Sequence, residues 1–184
     1  MIEPATGVLL IAEPFLKDPN FMRTVVLLCR HEEEQGSFGF VLNKEYHQTL
    51  NELIPALVGF DWPIYIGGPV QMDTLHYLHE YPHLLPDSQE VCEGIYWGGD
   101  FDILKELILE NSIDPLKIKF FLGYSGWDAQ QLAAEIEEKT WLTVNATPAL
   151  VFGTAMEEIW KASLKTLGGK YEMMIHFPTD PQLN

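Results

Sequence analysis

Three short apolar runs crowd into the first 42 residues: Gly7-Val8-Leu9-Leu10-Ile11-Ala12, Thr24-Val25-Val26-Leu27-Leu28-Cys29 and Phe38 to Leu42. Each is too brief for a stable helix, rich in Val, Ile, Leu or Phe, and bounded by turn residues, so each reads as a buried strand. The polar stretch Glu32 to Gly36 is a turn, which makes a hairpin of the second and third strands. A proline- and Asp-bearing loop, Glu13 to Asn20, separates the first strand from that hairpin.

Beyond Asn43 the pattern changes. Thr49-Leu50-Asn51-Glu52 has the form of a capping box, followed by Leu50, Leu53, Ile54 and Leu57 on one helical face, with Pro55 limiting or kinking the helix. Ile64 to Ile66 is a strand ending in Gly67-Gly68-Pro69; Thr74 to Leu78 and Gly94 to Trp97 are strands, with a loop from Tyr81 to Glu90. Gly98-Gly99 leads into a helix capped by Asp100, with Phe101, Leu104 and Ile108 as its apolar stripe. Lys117 to Leu122 is a strand, and Gly123-Tyr124-Ser125-Gly126-Trp127 reads as a turn into a helix from Asp128, where Asp128 and Gln131 form a second capping box. Trp141 to Val144 is a further strand. Thr154 to Glu157 opens the last helix with a third box, its apolar positions running from Met156 to Leu167 and ending at Gly168. Strands in a meander followed by strands mixed with helices define a mixed α/β or α+β domain spanning residues 1–184.

Composition narrows the function classes. The formal net charge is −16, from 27 acids against 11 Lys and Arg. Both halves are acidic, Arg23 and Arg30 are the only arginines, and no Lys or Arg occurs between Lys44 and Lys105. Phosphate backbones and guanine edges are read by Lys and Arg, so direct nucleic-acid binding is disfavoured. No apolar run reaches the roughly 18 residues of a membrane span. Two cysteines, Cys29 and Cys92, are too few for a disulfide framework, and the first apolar run lacks a basic flank, so a reduced cytoplasmic setting is expected.

The ordered features Gly7 to Ala12 with Pro14, Asp18 with Phe21 to Val26, Gly36 to Asn43, Gly67-Gly68-Pro69-Val70, Gly123 to Trp127 with Gln131, Leu132 and Glu135, Trp141, Trp160 with Leu167-Gly168, and Asp180 to Asn184 make the chain resemble the AlgH/YqgE family across essentially its full length. That resemblance implies a mixed, largely antiparallel sheet bent toward a pseudo-barrel with packed helices. Its activity is not established, and some members carry the label transcriptional regulator. The family usually has glycine where this chain has Gln130, and often alanine where it has Ser125.

Three constellations could carry chemistry. Ser125, between a strand and a helix, has the context of a nucleophile elbow, but Trp127 replaces the motif's closing glycine. His76, His79 and His83, with Cys92 nearby, have a spacing that suggests zinc, but Pro82 breaks a helix and strand alternation sends His76 and His79 to opposite faces. The glycine pairs at Gly67-Gly68 and Gly98-Gly99 match neither a P-loop nor a dinucleotide fingerprint. No catalytic set is complete, and neither a metal nor a cofactor is expected. The expectation is therefore a non-enzymatic regulatory or binding module for an unknown protein or small molecule. Asn43, Gly67, Gly68, Asp100, Tyr124, Ser125 and Trp127 are its candidate cleft, with Trp127 a surface on which a ligand could stack. Direct DNA regulation and hydrolytic or metal chemistry are the alternatives.

Overall fold

Residues 1–177 are described by the computed structural model; the Asp180 to Asn184 ending lies outside them. The three apolar runs become β1 (Val8–Ala12), β2 (Val25–Glu32) and β3 (Gly36–Val41), an antiparallel meander. Their unbroken hydrophobicity has a simple cause: both faces are covered. Leu9, Ile11, Val25, Leu27, Phe40 and Leu42 enter one core, while Val8, Leu10, Val26, Leu28 and Val41 enter another on the opposite face. A fully buried side chain of this kind contributes roughly 1.5–3 kcal/mol.

The remaining strands are β4 (Glu45–Thr49), β5 (Pro63–Ile66), β6 (Val70–His79), β7 (Gln89–Cys92), β8 (Ile95–Trp97), β9 (Ile118–Trp127) and β10 (Trp141–Asn145). They join one sheet in the order β10-β1-β2-β3-β9-β6-β8-β7, with β5 beside β9 and β4 beside β5. Among the described residues, only the β5–β9 pair is parallel. The result is a mixed α+β fold whose curled, largely antiparallel sheet forms a half-barrel. The helices are short: α1 (Leu50–Leu53), α2 (Phe101–Leu109), α3 (Gln131–Glu137), α4 (Pro148–Val151), α5 (Ile159–Leu167) and α6 (Lys170–Met174). Asp100 caps α2, its carboxylate accepting the amides of Asp102 and Ile103 at 2.9 and 3.1 Å. Helix α5 is tied to the sheet by Trp160, whose indole donates to the Ala12 carbonyl at 2.9 Å.

Several local expectations are corrected. Gly123 to Trp127 is no turn: it is the second half of β9. Before Gly123 the even positions Ile118, Phe120 and Leu122 face a third core, whereas Phe121 faces the first. After Gly123 the alternation inverts, so that Tyr124 packs on the first core and Trp127 enters the second. Gly123 carries the break with φ +67°, opposite the register shift of β6 between Val70 and Leu75. A continuous ladder replaces the strand-to-helix corner because β3 pairs with residues 125–127.

Helix α3 starts at Gln131, not Asp128, because Gln130 adopts a left-handed φ of +66°. The Gln131 side chain still accepts the Asp128 amide at 3.0 Å. The segment at Thr154 forms no capping box: its hydroxyl donates to the Ala149 carbonyl, and a 3₁₀ turn at Met156–Glu158 precedes α5. Strands β4 and β7 were not legible in sequence, being short, polar and mostly exposed.

Candidate functional site

The seven candidate cleft residues do not converge on one site. Gly67 and Gly68 sit where β5 leaves the side of β9 and β3 takes its place. The Gly67 amide donates to Leu122, and its carbonyl accepts the Val41 amide at 2.8 Å and the Ser125 hydroxyl at 3.0 Å. A Cβ on Gly68 would overlap the Tyr124 carbonyl, so this crossing of three strands leaves no room for a ligand. Ser125 is fully buried there. A hydroxyl sealed in a strand and donating to backbone is no nucleophile, which corrects its placement in an open cleft.

Asn43 is likewise spent on backbone. Its Oδ1 accepts the Val25 amide and its Nδ2 donates to the Arg23 carbonyl, both at 2.9 Å, clamping the entry of β2. The Asp100 carboxylate is occupied by its cap. The Trp127 ring is buried in the second core, and its indole donates to Glu135 Oε2 at 2.8 Å. Trp141 donates to the same oxygen at 2.8 Å. Trp127 therefore offers no stacking face to solvent; it is an anchor for α3.

An open cleft of about 470 Å³ does lie beside this junction, and Tyr124 and the edge of Trp127 border it. Its other principal walls are Arg30, Phe38, His76 and Trp97, contributed by β2, β3, β6 and β8. Phe38 packs edge-on against Trp97 and Tyr124, with ring centroids 4.9 and 6.0 Å apart. His76 stands edge-on to Tyr124 at 6.2 Å and lies 5.1 Å from Phe40. The Arg30 guanidinium lies over Phe38 at 5.2 Å. A second hollow of about 300 Å³, bordered by Gly98, Gly99 and Phe101, adjoins the first through His76 and Trp97.

Within this aromatic setting His76 Nε2 is buried and has no hydrogen-bond partner among the described residues. Burial lowers the His76 pKa, favouring the neutral ring. A buried polar atom left unpaired costs free energy, about 1–3 kcal/mol, unless something else bonds it. Arg30, Phe38, His76 and Trp97 were not grouped by sequence, because they come from four strands with no common spacing. The strand pairing Arg30 with Phe38 is the register that brings two of them together.

The histidines do not converge. His79 lies on the opposite face of β6, its Nε2 bonded to the Gly98 carbonyl at 2.8 Å and its Nδ1 accepting the Tyr81 amide at 3.0 Å. That pair of bonds selects the Nε2–H tautomer. Among the described residues, no group of three or more His, Cys, Asp and Glu is placed to hold a metal. Cys29 is buried and Cys92 half-buried; both thiols have raised pKa values, chiefly from burial. No helix among the described residues is long and apolar enough to cross a membrane.

A curled, mainly antiparallel half-barrel with short peripheral helices and an aromatic cleft at a strand junction defines an α+β class of protein. Residues 9–172 match the AlgH-like family, and the chain belongs to that family. It is 42% identical over 180 residues to a UPF0301 protein of Chlorobium luteolum, covering 98% of this chain and 95% of that one. It is also 42% identical over 184 residues to a UPF0301 protein of Bacteroides fragilis, covering 100% and 93%. The solution structure of the AlgH protein from Pseudomonas aeruginosa superposes with a TM-score of 0.73 at 31% identity, covering 97% and 98% of the two chains. A crystal structure of a Corynebacterium diphtheriae protein shares the fold, with a TM-score of 0.79 at 23% identity, covering 96% and 94%.

Proposed function

We propose that this chain is a cytoplasmic, non-enzymatic binding module whose aromatic cleft takes a small planar ligand carrying an anionic group. The observation that carries the reading is the unpaired, buried His76 Nε2 in a wall made of Phe38, Trp97 and Tyr124. Aromatic walls favour a flat ligand, the neutral imidazole can exchange one hydrogen bond with it, and Arg30 supplies a cation at the rim. Regulation would then act through a ligand or a protein partner. Direct DNA binding is disfavoured by the −16 charge and the two arginines.

The test is a screen of flat aromatic carboxylates and phosphates read by tryptophan fluorescence and by the imidazole nitrogen signals of His76. The expected hit quenches Trp97, shifts the His76 nitrogens, and binds at least about tenfold more weakly to Arg30→Ala, in line with loss of a charge-assisted bond. A hit that leaves His76 unchanged, or a broad panel without any hit, overturns the reading. A salt-dependent shift of duplex DNA would favour the nucleic-acid alternative instead.

A further inference from the structure

Lys119 is a charged side chain in a largely apolar setting. It lies on β9 between Ile118 and Phe120, paired across the ladder with Leu78, and it points toward the first core with Phe121. The residue is only 8% exposed. Its Nζ lies over the Tyr65 ring, 4.9 Å from the centroid. Among the described residues, no carboxylate forms an ion pair with it and no hydrogen bond is made by its amine. Glu45 and Glu157 lie near enough to raise the Tyr65 pKa, but neither forms an ion pair with Lys119. A buried ammonium normally has a carboxylate partner, because desolvating the charge is costly.

The amine also borders an opening. A cavity of about 310 Å³ runs along β5, β9 and the turn before α5, lined by Tyr65, Leu116, Lys119, Phe152, Thr154 and Met156 among others. That volume is at the small end of small-molecule sites. A mostly apolar cavity, one desolvated amine and no counter-anion are the conditions under which lysine acts as a nucleophile rather than as a charge.

We propose that Lys119 Nζ is a nucleophilic amine that forms an imine with a small aldehyde or ketone entering this cavity. The neutral amine attacks the carbonyl carbon. The carbinolamine then loses water, made from the carbonyl oxygen and the two amine hydrogens, leaving a C=N bond. No oxidant or reductant is needed. Burial lowers the Lys119 pKa to about 8. Roughly a fifth of the amine would then be neutral at pH 7.4, against about one part in a thousand for an exposed lysine. The site is separate from the aromatic cleft, and its test does not depend on that reading.

The experiment treats the folded full chain with propanal at pH 7.4, traps imines with cyanoborohydride, and maps the modified lysines by peptide mass spectrometry. Lys119 is expected to be labelled at least about tenfold faster than exposed Lys117, a conservative fraction of the gain in neutral amine. Labelling at or below the rate of Lys117 overturns the proposal. Lys119→Met should abolish the fast label while circular dichroism stays native. Should that variant fail to fold, carbon-13 methyl-lysine titration of the wild-type chain decides: Lys119 titrating well below the exposed lysines supports the site, and titration together with them overturns it.

Discussion

Ser125 donates its hydroxyl proton to the carbonyl oxygen of Gly67 at 3.0 Å, across 58 residues of sequence, inside the crossing of β3, β5 and β9. The two residues stand together because the crossing excludes everything larger. Ser125→Ala should therefore lower stability by about 0.5–1.5 kcal/mol, a single neutral hydrogen bond, since the Gly67 carbonyl keeps the Val41 amide. Urea unfolding checks this. A variant as stable as wild type, or one that loses ligand binding without losing stability, would contradict the structural role.

Gln130 holds a left-handed φ of +66° at the entry to α3, where only glycine is free of strain. Gln130→Gly should raise stability by about 0.5–1 kcal/mol, measurable as a higher Tm. A lowered Tm would refute the account.

Glu135 Oε2 accepts the indole N–H groups of both Trp127 and Trp141, while Oε1 accepts the Gln131 side-chain Nε2–H at 2.9 Å. Glu135→Ala leaves two indole donors without an acceptor. It should cost about 2–4 kcal/mol and loosen α3, seen as faster amide exchange from Gln131 to Glu137. Glu135→Gln keeps one acceptor oxygen and should cost less than half as much. Equal losses in the two variants would mean that the hydrogen bonds are not what matters.

His76 and His79 both have pKa values lowered by burial from 6.5. The unfolded chain therefore takes up protons at a higher pH than the folded chain does. Their contribution to stability is complete above about pH 6.5 and is lost as pH falls through the lower folded values. The unfolding free energy should decline between pH 7 and pH 5, and His76→Phe should flatten that decline while leaving stability at pH 8 equal or higher, because an unpaired nitrogen is removed. Chemical denaturation at several pH values tests this; an unchanged slope would exclude His76 as a contributor.

Ser163 Oγ is buried in α5 without a partner among the described residues. Ser163→Ala removes an unsatisfied group of nearly the same size and should stabilise the chain by about 1 kcal/mol, readable in Tm. A destabilised variant would imply a bond made by an ordered water.

The sequence by itself determined the local elements whose cause is local. The apolar runs of β1, β2 and β3 read as buried strands, Asp100 as the cap of α2, and Pro55 as a residue that ends or kinks a helix; the structure has those strands, that cap and an α1 that stops before Pro55. The formal net charge of −16 is likewise a property of the residues alone. What only tertiary structure decided was whatever depends on the partner strand. Gly123 to Trp127 has the composition of a turn, yet pairing with β3 keeps it extended, and the break at Gly123 chooses which face each side chain meets. That one inversion turned Tyr124 toward the cleft and sealed Trp127 against Glu135, so an expected stacking surface became core. Arg30, Phe38, His76 and Trp97 share no spacing, and their meeting is a property of strand order alone.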